Sequence, residues 1–277
     1  MSKHSIPLAG VIGYPVAHSL SPRLHGHWLQ RYGIKGHYVP LEVHPDDLVE
    51  VLGAMGRMGF VGANVTIPHK ETVLRLADQV TDRATLIGAA NTLTFRSDGT
   101  IFADNTDGYG FIENLRQRAR GWDPRGGPAA VIGAGGAARA VIVSLLDAGV
   151  PEIRLTNRTR LRADQLKSEF GARIVVYDWV HMNAMLDGAA TLVNTTSQGM
   201  EGQTPLKINL EELPKTALVT DIVYTPLRTP LLAAAEDAGF QTVDGLGMLL
   251  HQAVPGFQRW FGQRPEVDED LRNVVLG

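Results

Sequence analysis

The chain has 277 residues and no cysteine. That excludes disulfides, thiolate metal ligands and a cysteine nucleophile, and it fits a reducing compartment. Positive charge is not in excess either. Lys and Arg number 26 against 29 Asp and Glu, a formal net charge of -3, so nucleic acid and anionic membranes have no electrostatic footprint to meet. Long apolar runs are missing. The opening stretch MSKHSIPLAGVIGYP breaks its apolar pieces with Gly and Pro, so neither a signal peptide nor a membrane span is expected and the expected location is cytoplasmic. Internal repeats and low-complexity tracts are absent as well. What remains is 44% hydrophobic and 20% charged residues, the balance of a globular protein with room for one large or two modest domains.

The first hundred residues alternate strand-like and helix-like pieces. PLAGVIGYP (7–15) is an apolar run bounded by Pro and Gly, and HYVPLEV (37–43) and VGANVTIP (61–68) read as strands. Residues 21–34 predict a short helix with Ser21 as N-cap and Pro22 at the first helical position. PDDLVEVLGAMGRMGF (45–60) places Leu48, Val51, Leu52 and Met55 on one helical face. KETVLRLAD is a short helix, AANTLTF a strand, and GTIFADNTD a strand running into a polar turn. A second pattern begins near residue 128, with strands EIRLTNRT, ARIVVYD, ATLVNTTS and TALVTDIVY and helices between the earlier ones. Strands alternating with helices predict an α/β fold with a parallel, doubly wound sheet. The charged, turn-rich segment 116–128 reads as an inter-domain connection, and the helix over 245–262 is expected to break at Pro255-Gly256.

The turn VIGAGGAARA (131–140) lies between a strand and a helix, where a dinucleotide pyrophosphate binds. Gly133 and Gly135 take the first two fingerprint positions and Ala138 the third. The backbone N–H groups of Ala134, Gly136 and Ala137 belong to the same cradle, backed by the helix dipole. An NAD site usually carries Asp or Glu at the end of the next strand, about 20 residues on. Here that end reads Asn157, Arg158, Thr159, with Arg160 and Arg162 beyond it. No carboxylate repels a 2′-phosphate and arginines stand ready to pair with one, so NADP is the expected cofactor.

Nine motifs, in order along nearly the whole chain, resemble the shikimate dehydrogenase family: GYPVAHSLSPRLH (13–25), NVTIPHK (64–70), GAANT (88–92), DNTDG (104–108), GAGGAARA (133–140), NRT (157–159), NTTSQGM (194–200), DIVYTP (221–226) and DGLGMLLHQA (244–253). Where the family most often has Asn after the first motif's last His, Gly26 stands. The resemblance implies an N-terminal α/β substrate domain (1–108, completed by 245–277) plus a doubly wound Rossmann NADP-binding domain (109–244). It implies reduction of 3-dehydroshikimate to shikimate with NADPH. A small-molecule substrate is thus the expected partner, with no nucleic acid and no membrane, and a homodimer is left open.

The residue roles also come from the resemblance. Lys70 is the acid/base and Asp107 its neighbour, the two holding the reacting hydroxyl. An ordinary lysine keeps its proton at neutral pH; desolvation favours loss of that proton and a nearby carboxylate favours its retention. Ser19 and Ser21 match carboxylate-binding serines at a helix start. Thr66, Asn91, Tyr224 and Gln252 match further substrate contacts. Ile222 and Gly245 match the nicotinamide end, Thr195 borders the cofactor, and Asp82 lies near it. His18, His25 and His69 sit among these motifs without metal-ligand spacing. An NAD-using quinate/shikimate enzyme would carry an acidic residue at the second strand end. A non-catalytic NADP-binding regulator would have lost Lys70 or Asp107, and both are present.

Overall fold

The computed structural model describes residues 6–277, so the first five residues of the opening stretch read above lie outside the described residues. The chain divides into two compact units, the first running to Thr106 and resuming at Leu250–Gly277, the second spanning Asp107–Leu249. In chain order the elements are β1 (Leu8–Gly13), α1 (Ser21–Arg31), β2 (His37–Glu42), α2 (Leu48–Met55), β3 (Phe60–Val65), α3 (Lys70–Leu76), β4 (Gln79–Val80), α4 (Asp82–Ile87), β5 (Thr92–Phe95) and β6 (Ile101–Asp104). The second unit follows with α5 (Asp107–Arg118), β7 (Ala129–Ile132), α6 (Gly136–Ala148), β8 (Ile153–Thr156), α7 (Arg160–Phe170), β9 (Ile174–Tyr177), β10 (Thr191–Asn194), β11 (Leu218–Asp221), α8 (Pro230–Asp237) and β12 (Gln241–Val243). Helices α9 (Leu246–Phe261) and α10 (Glu269–Leu276) end the chain. None of the described helices is long and apolar enough to cross a membrane.

In the first unit a six-stranded mixed sheet runs β2-β1-β3-β5-β6-β4. β1 pairs in parallel with β2 and β3, while β5 is antiparallel to both β3 and β6. The parallel trio is short and apolar, and its core holds Ile12, Leu48, Leu52, Met55, Val65, Val73 and Leu93. A Cβ on Gly62 would lie 1.8 Å from Trp260 Nε1, and that indole donates to Leu93 O at 2.9 Å. Only glycine in β3 lets the C-terminal helix press its tryptophan against the sheet.

The second unit's sheet is wholly parallel, in the order β12-β11-β10-β7-β8-β9. Counted within the unit this is the doubly wound dinucleotide-binding order, whose direction reverses between β7 and β10. Both faces are covered. Val131, Val141, Ile142, Leu145, Leu155 and Val193 form one core, and Ala130, Ile132, Leu192, Val219, Leu231 and Leu232 form the other. Continuous burial on both faces explains why these strands read as unbroken apolar runs. Gly149 caps α6 at φ +102.

Four expectations are corrected. Leu20, not Ser21, is the N-cap of α1, and Ser21 opens the helix ahead of Pro22; the Ser21 N–H donates to Ser19 Oγ (3.3 Å), so the upstream serine takes the capping task. The segment 116–128 does not connect units, because α5 already starts at Asp107 and runs to Arg118. α9 continues through Pro255 as one helix. Burial of its apolar face outweighs the hydrogen bond proline removes. Finally, β3 ends at Val65, three residues short of the strand read over 61–68, while α3 opens at Lys70 as that reading has it.

Candidate functional site

In the first unit the predicted residues gather at the carboxyl ends of β1 and β3, which are parallel neighbours. Ser19 and Ser21 follow β1 across a short loop, and Ser21 is buried. Thr66 follows β3; its N–H donates to Ile12 O at 2.9 Å, and its methyl fills the space a side chain at Gly13 would need. His69 is buried, its Nε2 donating to Val43 O at 2.8 Å. That bond sets the turn in which Lys70 begins α3. The carbonyl of Lys70 accepts from Ala90 N at 2.9 Å. The lysine is thus fastened by its own backbone to the segment that carries Asn91.

Asn91 and Gln252 are both buried, and Asn91 Nδ2 donates to Gln252 Oε1 at 3.2 Å. These two, far apart in sequence, are brought together as the resemblance implies. Asp82 is instead exposed at the start of α4, a helix capped by Thr81 accepting from Ala84 N at 3.3 Å.

Several polar residues here escaped the sequence reading. Asp104 is fully buried; Arg83 Nε and Nη2 reach it at 2.7 and 2.5 Å and Arg259 Nη2 at 2.5 Å. Burial alone would raise its pKa, but the hydrogen bonds from Arg83 and Arg259 overcome that and hold the carboxyl below its ordinary value. Asn64 accepts from Tyr38 Oη at 2.7 Å and donates to Asn91 O at 3.2 Å. His25, named above among the motif histidines, is fully buried and stacked on Tyr38 with ring centroids 3.9 Å apart. Burial drives its pKa down to about 3, so it stays neutral. A buried Asn or Asp inside a recurring motif was the available signal, since such groups stay buried only with partners.

In the second unit the predicted residues line the carboxyl edge of the parallel sheet. Gly133 and Ala134 follow β7, Asn157 follows β8, Thr195 follows β10, Ile222 follows β11 and Gly245 follows β12. That is the edge where open α/β sheets bind ligands, with the switch point between β7 and β10. Gly133 has φ +111, and a Cβ there would sit 2.6 Å from Thr195 Oγ1. The Thr195 hydroxyl is tied to Ile132 O at 2.7 Å. Asn157 Oδ1 accepts from Ala134 N at 3.1 Å, pinning the turn to β8. Gly245 meets the backbone of Ile222, whose O would lie 2.3 Å from its Cβ.

The turn fits a pyrophosphate. Gly135 and Gly136 are exposed with open space where side chains would be, and Gly136 opens the thirteen-residue α6. The adjoining strand end fits a 2′-phosphate. Arg158 and Arg162 are exposed beside it with no ion pair among the described residues, and Thr159 lies between them. Arg160 is spent elsewhere, paired with Asp178 and Asp164. Ala137 continues the first turn of α6, behind the glycines. Asp221 is buried and accepts from Val223 N, Asn194 Nδ2 and Thr229 Oγ1 at 3.0, 3.1 and 2.8 Å. It holds the loop that carries Tyr224, whose phenol pKa burial raises. Asp107 opens α5, partly buried.

Three family profiles match the chain. Residues 11–93 match the profile described as shikimate dehydrogenase substrate binding domain. Residues 124–222 match shikimate / quinate 5-dehydrogenase, and 245–272 match the shikimate 5'-dehydrogenase C-terminal domain. The shikimate dehydrogenase (NADP(+)) of Paracoccus denitrificans (strain Pd 1222) is 71% identical over 274 residues, covering 99% of this chain and 97% of that one. The chain belongs to the shikimate dehydrogenase family. Among solved members of like fold, shikimate 5-dehydrogenase from Thermus thermophilus in complex with NADP(H) and shikimate superimposes at TM-score 0.86 with 37% identity, covering 98% of this chain and 99% of that one. Quinate dehydrogenase from Corynebacterium glutamicum in complex with NAD reaches TM-score 0.90 at 30% identity, with 99% of both chains covered. The family's fold is therefore shared across differing substrates and cofactors, and the distinction must come from side chains.

Proposed function

We propose that the chain is an NADP-dependent shikimate dehydrogenase, an oxidoreductase that reversibly reduces 3-dehydroshikimate to shikimate on the route to chorismate and the aromatic amino acids. The observation that carries this reading over a quinate enzyme using NAD is the end of β8. Asn157 and Arg158 occupy the place of the ribose-binding carboxylate, and Arg158 and Arg162 are left to meet a 2′-phosphate. The relatives' names point the same way.

Bound NADPH supplies the hydride to the ketone carbon. The protein's own residues do the rest. Lys70 exchanges the proton with the developing hydroxyl oxygen, and Asp107 orients that hydroxyl and the ammonium. Ser19 and Ser21 hold the substrate carboxylate at the start of α1, where the helix dipole favours an anion. Thr66, Asn91, Tyr224 and Gln252 hold the ring hydroxyls. On the cofactor side, Gly133, Ala134, Gly135, Gly136 and Ala137 cradle the pyrophosphate. Asn157, Arg158, Thr159 and Arg162 take the adenosine ribose and its phosphate, and Thr195, Ile222, Gly245 and Asp82 border the remainder. The expected setting is cytoplasmic. A homodimer is compatible with the reading, and sedimentation of the purified chain reports it.

The deciding assay measures oxidation of shikimate and quinate with NADP and with NAD. Shikimate with NADP should lead by at least about tenfold; equal rates with NAD, or a preference for quinate, would sink the specificity. Lys70→Ala should lower kcat by about 10²–10⁴-fold, the usual worth of general acid–base catalysis, with NADP binding kept. A variant retaining most of its turnover removes Lys70 from that role.

A further inference from the structure

Between Asn91 and the chain's exit from the first unit lies a buried set of hydroxyls that the reaction does not itself require. Asn91 Oδ1 accepts from the Thr106 N–H at 2.8 Å, from Thr92 Oγ1 at 2.9 Å and from Thr106 Oγ1 at 3.1 Å. The two hydroxyls also touch each other at 3.0 Å. Asn91, Thr92 and Thr106 are 2%, 0% and 0% exposed. We propose that Thr106, seconded by Thr92, is a positioning residue that fixes the polarity of the Asn91 carboxamide, so that Asn91 offers substrate N–H donors only.

The orientation follows from atoms that cannot change role. A backbone N–H only donates, so the Asn91 atom facing Thr106 N must be the oxygen. The amide nitrogen is then turned the other way, toward Gln252, and the Gln252 atom opposite it at 3.2 Å must be Oε1. A second fixed group makes the same decision for Asn64. Asn91 O is an acceptor only, so the Asn64 atom facing it at 3.2 Å is Nδ2, and its Oδ1 is left to accept from Tyr38 Oη. Asn64 Nδ2 also approaches Thr92 Oγ1 at 3.4 Å. Donors therefore run in one sense, from Tyr38 through Asn64, Thr92 and Thr106 to Asn91 and on to Gln252. Each hydroxyl has one proton, so whichever of Thr92 and Thr106 donates to the other, the Thr106 N–H and at least one hydroxyl still donate to Asn91 Oδ1 and occupy its two lone pairs, leaving nothing for a ligand.

A carboxamide locked in this way meets the lone pair of a ring hydroxyl and rejects an ammonium group there, which has none. An unlocked carboxamide could present either end, and part of its binding energy would go to reordering.

This rests on the reading of Asn91 as a substrate contact, and the test separates the two. Shikimate and NADP kinetics are measured for the parent enzyme, Thr106→Val, Thr106→Ser, Asn91→Ala and the Asn91→Ala/Thr106→Val double variant, with thermal unfolding of each. Thr106→Val keeps the shape and the backbone N–H, which alone still sets the polarity, but loses the hydroxyl bond that holds the carboxamide firm. It should raise the KM for shikimate about tenfold, the worth of one buried hydrogen bond, with the KM for NADP unchanged. Thr106→Ser should restore the parent value. In the Asn91→Ala background the valine should add nothing further, since the two positions then act through one contact. A Thr106→Val enzyme with parental KM for shikimate, or one whose two KM values rise together, overturns the positioning role while leaving the dehydrogenase reading standing. So does a valine effect undiminished in the Asn91→Ala background. A parent enzyme inert toward shikimate overturns both.

Discussion

Replacing Asp104 with asparagine keeps the size of the side chain and removes its charge. In the native protein Oδ1 accepts from Arg83 Nε, Thr81 Oγ1 and the Asn105 N–H, at 2.7, 2.9 and 2.8 Å. Oδ2 accepts from Arg83 Nη2 and Arg259 Nη2, each at 2.5 Å. Asparagine can keep the first three. At the second site it places an NH2 group against two guanidinium donors, so two charge-assisted bonds are lost and the arginines repel across the gap. Removing one partner of a buried ion pair costs ~3–5 kcal/mol. The Arg83 and Arg259 side chains are 42% and 32% exposed and recover part of their hydration, so the loss is nearer ~3 kcal/mol. At ~4 °C per kcal/mol, the value where the ranges for smaller and larger domains meet, the transition of the first unit should fall by roughly 12 °C. Circular dichroism and urea titration read it. The pH dependence has a definite sign. Asp104 has a folded pKa below its unfolded one, so its contribution is full above the ordinary carboxylate pKa and disappears as pH falls through the lower folded value. The parent should lose stability on acidification below about pH 4 more steeply than Asp104→Asn. A variant melting within about 2 °C of the parent at pH 7 would refute the reasoning.

Three further outcomes follow from the same structure. Asp221 is buried with no cation paired to it among the described residues, and burial raises its pKa; Asp221→Asn can still accept from Val223 N and donate to Thr229 Oγ1, so at pH 7 it should cost under ~1 kcal/mol. Because a raised folded pKa favours the protein at low pH and costs it stability as pH rises, the asparagine should gain on the parent in urea unfolding as pH rises from the ordinary carboxylate pKa, about 4, through the higher folded one; a loss above ~3 kcal/mol at pH 7 would contradict this. Gly26→Ala, exposed within α1 with nothing within 4 Å of its Cβ, should stabilise by ~1 kcal/mol from helix propensity, read as a higher melting temperature. Arg158→Ala with Arg162→Ala should raise the KM for NADP by at least about tenfold and leave that for NAD nearly unchanged, since the lost bonds are charge-assisted contacts to a phosphate; parallel changes for both cofactors would point away from the 2′-phosphate.

The second unit was legible because its strands are buried on both faces and each βα turn carries its own punctuation. The apolar run, Gly133, Gly135 and the Gly149 cap fall where the sequence pattern places them. α5 was hidden. It begins at Asp107 directly after a strand, and Gly108 and Gly110 in its first turn read as loop, although Gly108 is there because Ala140 O would lie 2.8 Å from a Cβ. Proline in α9 misled for the opposite reason: a local breaker is tolerated where tertiary burial of Val254, Phe257 and Trp260 dominates. The buried polar residues Thr92, Asp104 and Thr106 were in quoted motifs and still passed unread. A threonine in a strand looks like any β-branched residue until its hydroxyl's partner is known, and Arg259 comes from 155 residues away to join Arg83 on Asp104.

The indole of Trp260 resting on Gly62 has a bearing on synthesis. The first unit begins near the N-terminus, yet the residue that covers its central strands is among the last to be made. The unbroken unit, Asp107–Leu249, is complete while its neighbour still lacks Leu250–Gly277. On the ribosome the expected order of folding is therefore the reverse of the usual N-terminal domain first. Until Trp260 has been made and has emerged, β3 and β5 expose the surface that it covers. Shortening the chain before Trp260 should consequently yield a nascent protein whose later-made half is protease-resistant and whose earlier-made half is not.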